Sequence, residues 1–260
     1  MNSGPEPAVV RTYGQLWVGI FDRDLDMGAR AAADFAAAVR QAVDARGFAS
    51  VILATGNSQL PFMAALRQRD DIPWGKVLVF HMDEYRGMPE THPASFRRYI
   101  REQLTDHVHP RQFFGLQGDA PDTAAEIRRY TELLKQYPAD VCVMGIGENG
   151  HLAFNDPPAD FETTETVHVV NLDLACRRQQ VGEGHFATID DVPMQALSLT
   201  VPALLAAKRV LVVVPERRKA AAVKAALQGP VTPSCPASIL QTQPHARLYL
   251  DRESSSLLGI

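Results

Sequence analysis

At 260 residues the chain has room for one large α/β domain or two small ones. A composition of 46% hydrophobic and 22% charged residues is ordinary for a soluble globular protein, and a formal net charge of -4 gives no general affinity for polyanions, so nucleic-acid binding is disfavoured. No apolar run approaches a membrane span, the first residues lack a basic-then-apolar leader, and Cys142, Cys176 and Cys235 fit neither zinc spacing nor a disulfide framework, so a cytoplasmic location is the default expectation.

Residues 1–12 read as a loose tail. Residues 16–21 (LWVGIF) form a short first strand, and Asp24 or Asp26 offers an N-cap to a long helix. In that helix Phe35, Ala38, Val39, Ala42 and Val43 share a face, and Gly47 supplies the stop. Residues 50–54 (SVILA) read as a central strand running into Thr55, Gly56, Asn57 and Ser58, with a helix after them. Strand, hydroxyl-rich glycine turn and helix make an anion cradle, because backbone N–H groups and the helix dipole point at the turn. The turn lacks the Lys of a nucleoside-triphosphate loop. A plain capping role for Ser58 is compatible with the cradle.

Residues 76–81 (KVLVFH) are the next strand, delivering Met82, Asp83, Glu84 and Tyr85 at its carboxyl end. Adjacent acids at a strand end are often a solvated turn, but in a parallel sheet this end lies beside the other loops. His92-Pro93-Ala94-Ser95 initiates a helix carrying Phe96, Tyr99, Ile100 and Leu104. After a short strand at 113–116, Pro121-Asp122-Thr123 opens a helix with Ile127, Tyr130, Leu133, Leu134 and Tyr137 on one face.

Residues 140–158 hold the densest chemistry. A buried strand, 141–144 (VCVM), breaks into a loop with Gly145, Gly147 and Gly150, followed by His151 and Asp156. The glycines match G-x-G-x-x-G, but the dinucleotide motif must open into a helix, and Asn155-Asp156-Pro157-Pro158 prevents one. A base and an acid on a loop after a buried strand mark a ligand site instead. Beyond residue 158 the pattern weakens. Residues 166–170 are a candidate strand, 171–180 are polar with adjacent Arg177 and Arg178, and 182–185 (GEGH) read as flexible. Residues 196–201 are extended, 209–214 (RVLVVV) are a buried strand before Lys219 and an alanine-rich helix, and 246–250 are a last strand. The alternation predicts an α/β fold over residues 13–260: a single-domain, doubly wound, mostly parallel sheet with helices on both faces.

The stretch G-I-G-E-N-G-H-L-A-F-N-D-P, with Met82-Asp83-Glu84-Tyr85 upstream, resembles the active-site segments of the glucosamine-6-phosphate deaminase (isomerase) family. The 6-phosphogluconolactonases share that superfamily. The resemblance covers nearly the whole chain. It implies conversion of an amino-sugar 6-phosphate to a ketose 6-phosphate and ammonia, an isomerising step completed by water and so classed here as a hydrolase. It implies that Asp83 moves a proton between C2 and C1 and that His151 serves the ring oxygen, supported by Asn149 and Asp156. Thr55, Gly56, Asn57, Ser58 and Lys219 would hold the phosphate, with Glu84 and Gly147 also lining the substrate. No metal or organic cofactor is implied. The expected partner is a small sugar phosphate, neither nucleic acid nor membrane, and assembly into a homo-oligomer stays open.

Three positions depart from the family pattern. Asn149 stands where the family usually has Asp, Asp156 is one methylene shorter than the family's Glu, and the segment Gly184-His185-Phe186 lacks the family's phosphate-binding Arg. Arg177 or Arg178 is the expected substitute. Two other functions stay in view: a lactonase, since residues 196–205 (ALSLTVPALL) resemble those enzymes, and a non-catalytic sugar-phosphate sensor with Asn149 as its disarmed relay.

Overall fold

A computed structural model describes residues 4–259. Its centre is an eight-stranded sheet in the order β1-β2-β11-β10-β7-β3-β4-β6. The strands are β1 (Val9–Tyr13), β2 (Leu16–Phe21), β3 (Ala49–Leu53), β4 (Val77–His81), β6 (Gln112–Phe114), β7 (Val141–Met144), β10 (Arg209–Val214) and β11 (Ala246–Asp251). All pair in parallel except β1, which runs antiparallel to β2. A second, antiparallel sheet holds β5 (Asp83–Tyr85), β9 (Gln195–Leu199) and β8 (Val167–Asn171). The single α/β domain with a mostly parallel sheet is therefore as the alternation predicts. The loose tail is shorter than expected: Val9–Tyr13 is an edge strand closed onto β2 through the Gly14 turn, while residues 1–3 lie outside the described residues.

Alternation along the buried strands builds two cores. Val141 and Val143 face one side with Val51, Leu53, Val77 and Val79, against α1 (Asp24–Arg46) and α2 (Leu60–Arg67). Cys142 and Met144 face the other with Ile52, Leu78 and Phe80, against α5 (Thr123–Gln136), α7 (Val201–Leu205) and α8 (Ala220–Gln228). The cap of α1 is Arg23, not Asp24 or Asp26; both acids sit in its first turn, where the helix dipole favours them, and Gly47 closes it in the left-handed conformation. Between α2 and α5 the chain makes α3 (Phe96–Ile100), a π turn and the short α4 (Asp106–Val108). Among the described residues no helix is long and apolar enough to cross a membrane.

Two topological features position the site. From β3 the chain moves outward to β4, whereas from β7 it moves the opposite way to β10, so the crevice above β3 and β7 is a switch point. Second, β4 passes through Met82 directly into β5, so Asp83 stands at the seam between the two sheets. Tyr130 of α5 fastens the end of β4: its buried hydroxyl accepts from His81 N–H at 3.1 Å and faces the carbonyls of His81 at 2.7 Å and Phe114 at 3.2 Å. Tyr130→Phe removes these bonds from a dry site and is expected to cost about 1–3 kcal/mol, read as a lower midpoint in urea unfolding.

Candidate active site

Loops from the carboxyl ends of β3, β4, β7 and β10 meet in one cleft, closed on a further side by α6 (Leu174–Gly182). It is lined by Thr55, Gly56 and Ser58 after β3, Met82 and Asp83 after β4, Gly145 to His151 in part after β7, and Lys219 after β10.

Asp83 is buried, and its Oδ1 has no hydrogen-bond partner among the described residues. Burial, and then the neighbouring Glu84 charge, push its carboxyl well above the usual carboxylate range. A desolvated acid whose oxygen is unoccupied is equipped to exchange a proton with a ligand. Glu84, expected at the substrate, turns the other way. Its carboxylate accepts from Ser95 Oγ at 2.8 Å and from the N–H groups of Phe96 at 3.1 Å and Arg97 at 3.0 Å. Strand alternation forces this: adjacent residues of β5 point to opposite faces, so only one acid can enter the cleft. Glu84 anchors the start of α3 instead.

His151 Nδ1 lies 2.7 Å from Asn149 Oδ1 and 3.2 Å from Asp156 Oδ1. Both oxygens accept, because Asn149 spends its Nδ2–H on Asp156 Oδ1 at 3.0 Å and also receives the His151 backbone N–H at 3.1 Å. These partners assign the proton to Nδ1 and leave the Nε2 lone pair free. Burial pushes the Asp156 carboxyl up, but its contacts with His151 and Asn149 outweigh this and hold it below the usual range. The Asn149 departure therefore does not strip His151 of an acid: Asp156 reaches the same nitrogen. Gly147 has a local reason. A Cβ there would lie 2.2 Å from His151 Cε1, so the imidazole lies directly against its backbone.

At the other end, Gly56 has φ +97 and opens a turn of 3₁₀ helix, Asn57–Gln59, into α2. Among the described residues nothing accepts from the backbone N–H of Asn57 or Ser58. Ser58 does not cap α2; its hydroxyl accepts from Gln59 Nε2 at 3.2 Å and lines the cleft. Asn57 does not line it, its amide donating to Glu183 O at 3.2 Å. Lys219 is buried, with no carboxylate at ion-pair distance among the described residues; burial lowers its pKa and the Glu183 charge opposes that fall.

The expected substitutes for a second cation are not at the site. Arg177 donates to Ile189 O at 2.6 Å and Val192 O at 3.2 Å, and Arg178 is exposed on the outer face of α6. The cleft wall there is Gln179, Gln180, Glu183 and His185; the sequence placed the phosphate segment at Gly184-His185-Phe186 but gave no role to the two glutamines or Glu183. Their signal was Asp173, which caps α6 by accepting from Cys176 N–H at 2.6 Å; the helix is polar on its cleft face and lacks the apolar periodicity that marks a helix. His151, Asp156 and Cys176 have donor atoms within 4.8 Å of one another, a set of the kind that holds a soft divalent cation, but His151 Nδ1 is already engaged by Asn149.

Fold and cleft define a doubly wound α/β protein in which a buried acid, an imidazole, a hydroxyl-bearing glycine turn and a buried lysine line one carboxyl-edge cleft. The chain belongs to the glucosamine-6-phosphate isomerase/6-phosphogluconolactonase family, whose model matches residues 23–249. It is 35% identical over 214 residues to a glucosamine-6-phosphate deaminase of Streptococcus equi subsp. zooepidemicus, covering 82% of this chain and 89% of the relative. It is 30% identical over 240 residues to that of Oenococcus oeni, covering 92% and 98%. A solved monomeric glucosamine-6-phosphate deaminase superposes with a TM-score of 0.85 at 29% identity, covering 92% of this chain and 99% of that one. A 6-phosphogluconolactonase from Shewanella baltica matches at 0.73 and 22% identity, covering 93% and 97%, a likeness of fold.

Proposed function

We propose that the protein is a glucosamine-6-phosphate deaminase, converting that sugar phosphate and water to fructose 6-phosphate and ammonia. One observation carries this reading: a desolvated carboxylate with an unpartnered oxygen, Asp83, lines the same cleft as His151 with its free Nε2 and the Thr55–Ser58 cradle. The similar deaminases support it. Backbone N–H groups of the cradle, the Ser58 hydroxyl and the Lys219 ammonium hold the phosphate. His151 Nε2 takes the C1 hydroxyl proton and returns it to the ring oxygen as the C1–O5 bond breaks. Asp83 then removes the C2 proton as the C2 ammonium passes a proton to the aldehyde oxygen, giving a C1–C2 enolamine, and returns its proton to C1, leaving an iminium at C2. Water adds there and ammonia departs. "Hydrolase" in the strict sense suits the lactonase relatives; here water enters only after isomerisation.

Glucosamine 6-phosphate is the substrate to test, with ammonia and fructose 6-phosphate measured together. Equal yields of both support the reading. Acid release from 6-phosphogluconolactone alone replaces it with a lactonase, and stabilisation by sugar phosphates without turnover replaces it with a sensor. The reading places the enzyme in the cytoplasm and leaves its assembly open to a monomer, the state of one similar deaminase.

Asp83 works as its carboxylate, so turnover rises with pH as it ionises. Because burial raises that ionisation, the acid limb of kcat/KM is expected above the value of about 4 typical of free carboxylates. A limb at the ordinary position would remove Asp83 from the role of base.

A further inference from the structure

A carboxylate stands at the end of the cleft assigned to the phosphate. Glu183 follows α6 and lines the cleft, its side chain only 8% exposed. Its Oε1 accepts from Gln179 Nε2 at 2.9 Å and from Arg218 Nη1 at 2.9 Å, and its Oε2 lies 3.3 Å from His185 Nε2. The same Oε2 is 3.8 Å from where a Gly56 Cβ would be, so the group lies across the mouth of the glycine turn. Its backbone carbonyl takes the Asn57 amide, fixing the end of α6 to that turn. Arg218 is further held by Glu148 at 3.1 Å.

The groups around it would each serve a phosphate oxygen: a guanidinium and an amide that donate to it, and an imidazole 3.3 Å away whose Nε2 has no hydrogen-bond partner among the described residues, with the Lys219 ammonium lining the same cleft. A glutamate carboxylate is a planar anion with two acceptor oxygens and mimics one edge of a phosphate. On the phosphate assignment of the proposed function, we infer that Glu183 is an internal anion that competes with the substrate's phosphate for Arg218, His185 and Gln179, and so sets how tightly a sugar phosphate is held. A bound dianion beside Gly56 repels the carboxylate, which swings out and hands over those donors. Burial pushes Glu183 up, but His185, Gln179, Lys219 and Arg218 together hold it at about 2, so it is fully charged wherever the substrate phosphate is.

The test is isothermal titration of the intact protein with inorganic phosphate and with glucosamine 6-phosphate at low salt, using the native chain, Glu183→Gln and Glu183→Ala. Removing the charge is expected to tighten inorganic phosphate by about tenfold or more in both variants and to lower KM in parallel. Weaker or unchanged phosphate binding in both variants overturns the inference and makes Glu183 a residue that positions His185 and Arg218. Weakening in Glu183→Ala overturns it as well, since alanine frees the same donors and should tighten phosphate if Glu183 competes for them. If the native protein binds neither ligand, the phosphate assignment itself fails. If it turns over substrate while the variants bind no tighter, only the inference about Glu183 fails.

Discussion

Asp83→Asn is expected to lower turnover of glucosamine 6-phosphate by a factor of about 10²–10⁴ or more while raising the melting temperature at neutral pH. The first effect follows from chemistry: an amide has the shape of the carboxylate and cannot accept the C2 proton. The second follows from linkage. Burial raises the folded-state pKa of Asp83 above its unfolded value, so its contribution favours folding at low pH, below the unfolded pKa, and is lost as pH rises through the folded pKa. At neutrality, where the unfolded chain's carboxyl is ionised in water, the native state bears the cost of burying that group, and Asn removes the cost. Binding of the sugar phosphate should survive, because the cradle does not include Asp83. Steady-state kinetics beside thermal melts at neutral and acid pH check both halves. A variant that loses activity and stability together would show that Asp83 is structural.

Gly147→Ala is expected to cost about 10² in kcat with little change in phosphate affinity. The added Cβ would sit 2.2 Å from His151 Cε1 and 2.3 Å from both ring nitrogens, so the imidazole must leave its place against the backbone. Leaving breaks the 2.7 Å contact with Asn149 and the 3.2 Å contact with Asp156 that fix the tautomer. Gly147 is not among the residues with positive φ, so alanine meets no backbone objection and the effect reports on the ring alone. Phosphate titration beside the kinetics separates this from loss of the fold. Near-native kcat would mean that the ring position is not what catalysis uses.

The parallel sheet was readable because its central strands are short, apolar runs, β7 ended by Gly145 and β10 by Pro215, and a strand buried on both faces leaves that trace in sequence. The small antiparallel sheet was harder. β5 is three residues long, and the burial of β8 alternates along Val167–Asn171, so neither shows a continuous apolar run. Cleft residues that follow buried strands in sequence, Asp83, His151 and Ser58, were visible for the same reason as the strands. Glu84 was misplaced because sequence adjacency does not say which of two acids a pleat turns inward. The α6 wall was missed because its contribution is polar: Gln179 and Glu183 are chosen for what they bond, and hydrophobic periodicity does not register that choice. The two candidate cations, Arg177 and Arg178, were judged by charge, whereas the helix turns one to backbone carbonyls and the other to solvent.

The passage of β4 into β5 through Met82 divides responsibility for the cleft. The glycine turn and Lys219 are fixtures of the large sheet, whereas Asp83 is registered opposite Ser198 in the small one. A change in the packing of β8 or β9 can thus tilt Asp83 while the glycine turn and Lys219 stay where they were. An ancestor could keep one handle, common to every phosphorylated sugar, and retune what happens at the far end of the molecule. Such a division offers a physical route by which one scaffold can carry different chemistries without reinventing how a substrate is held.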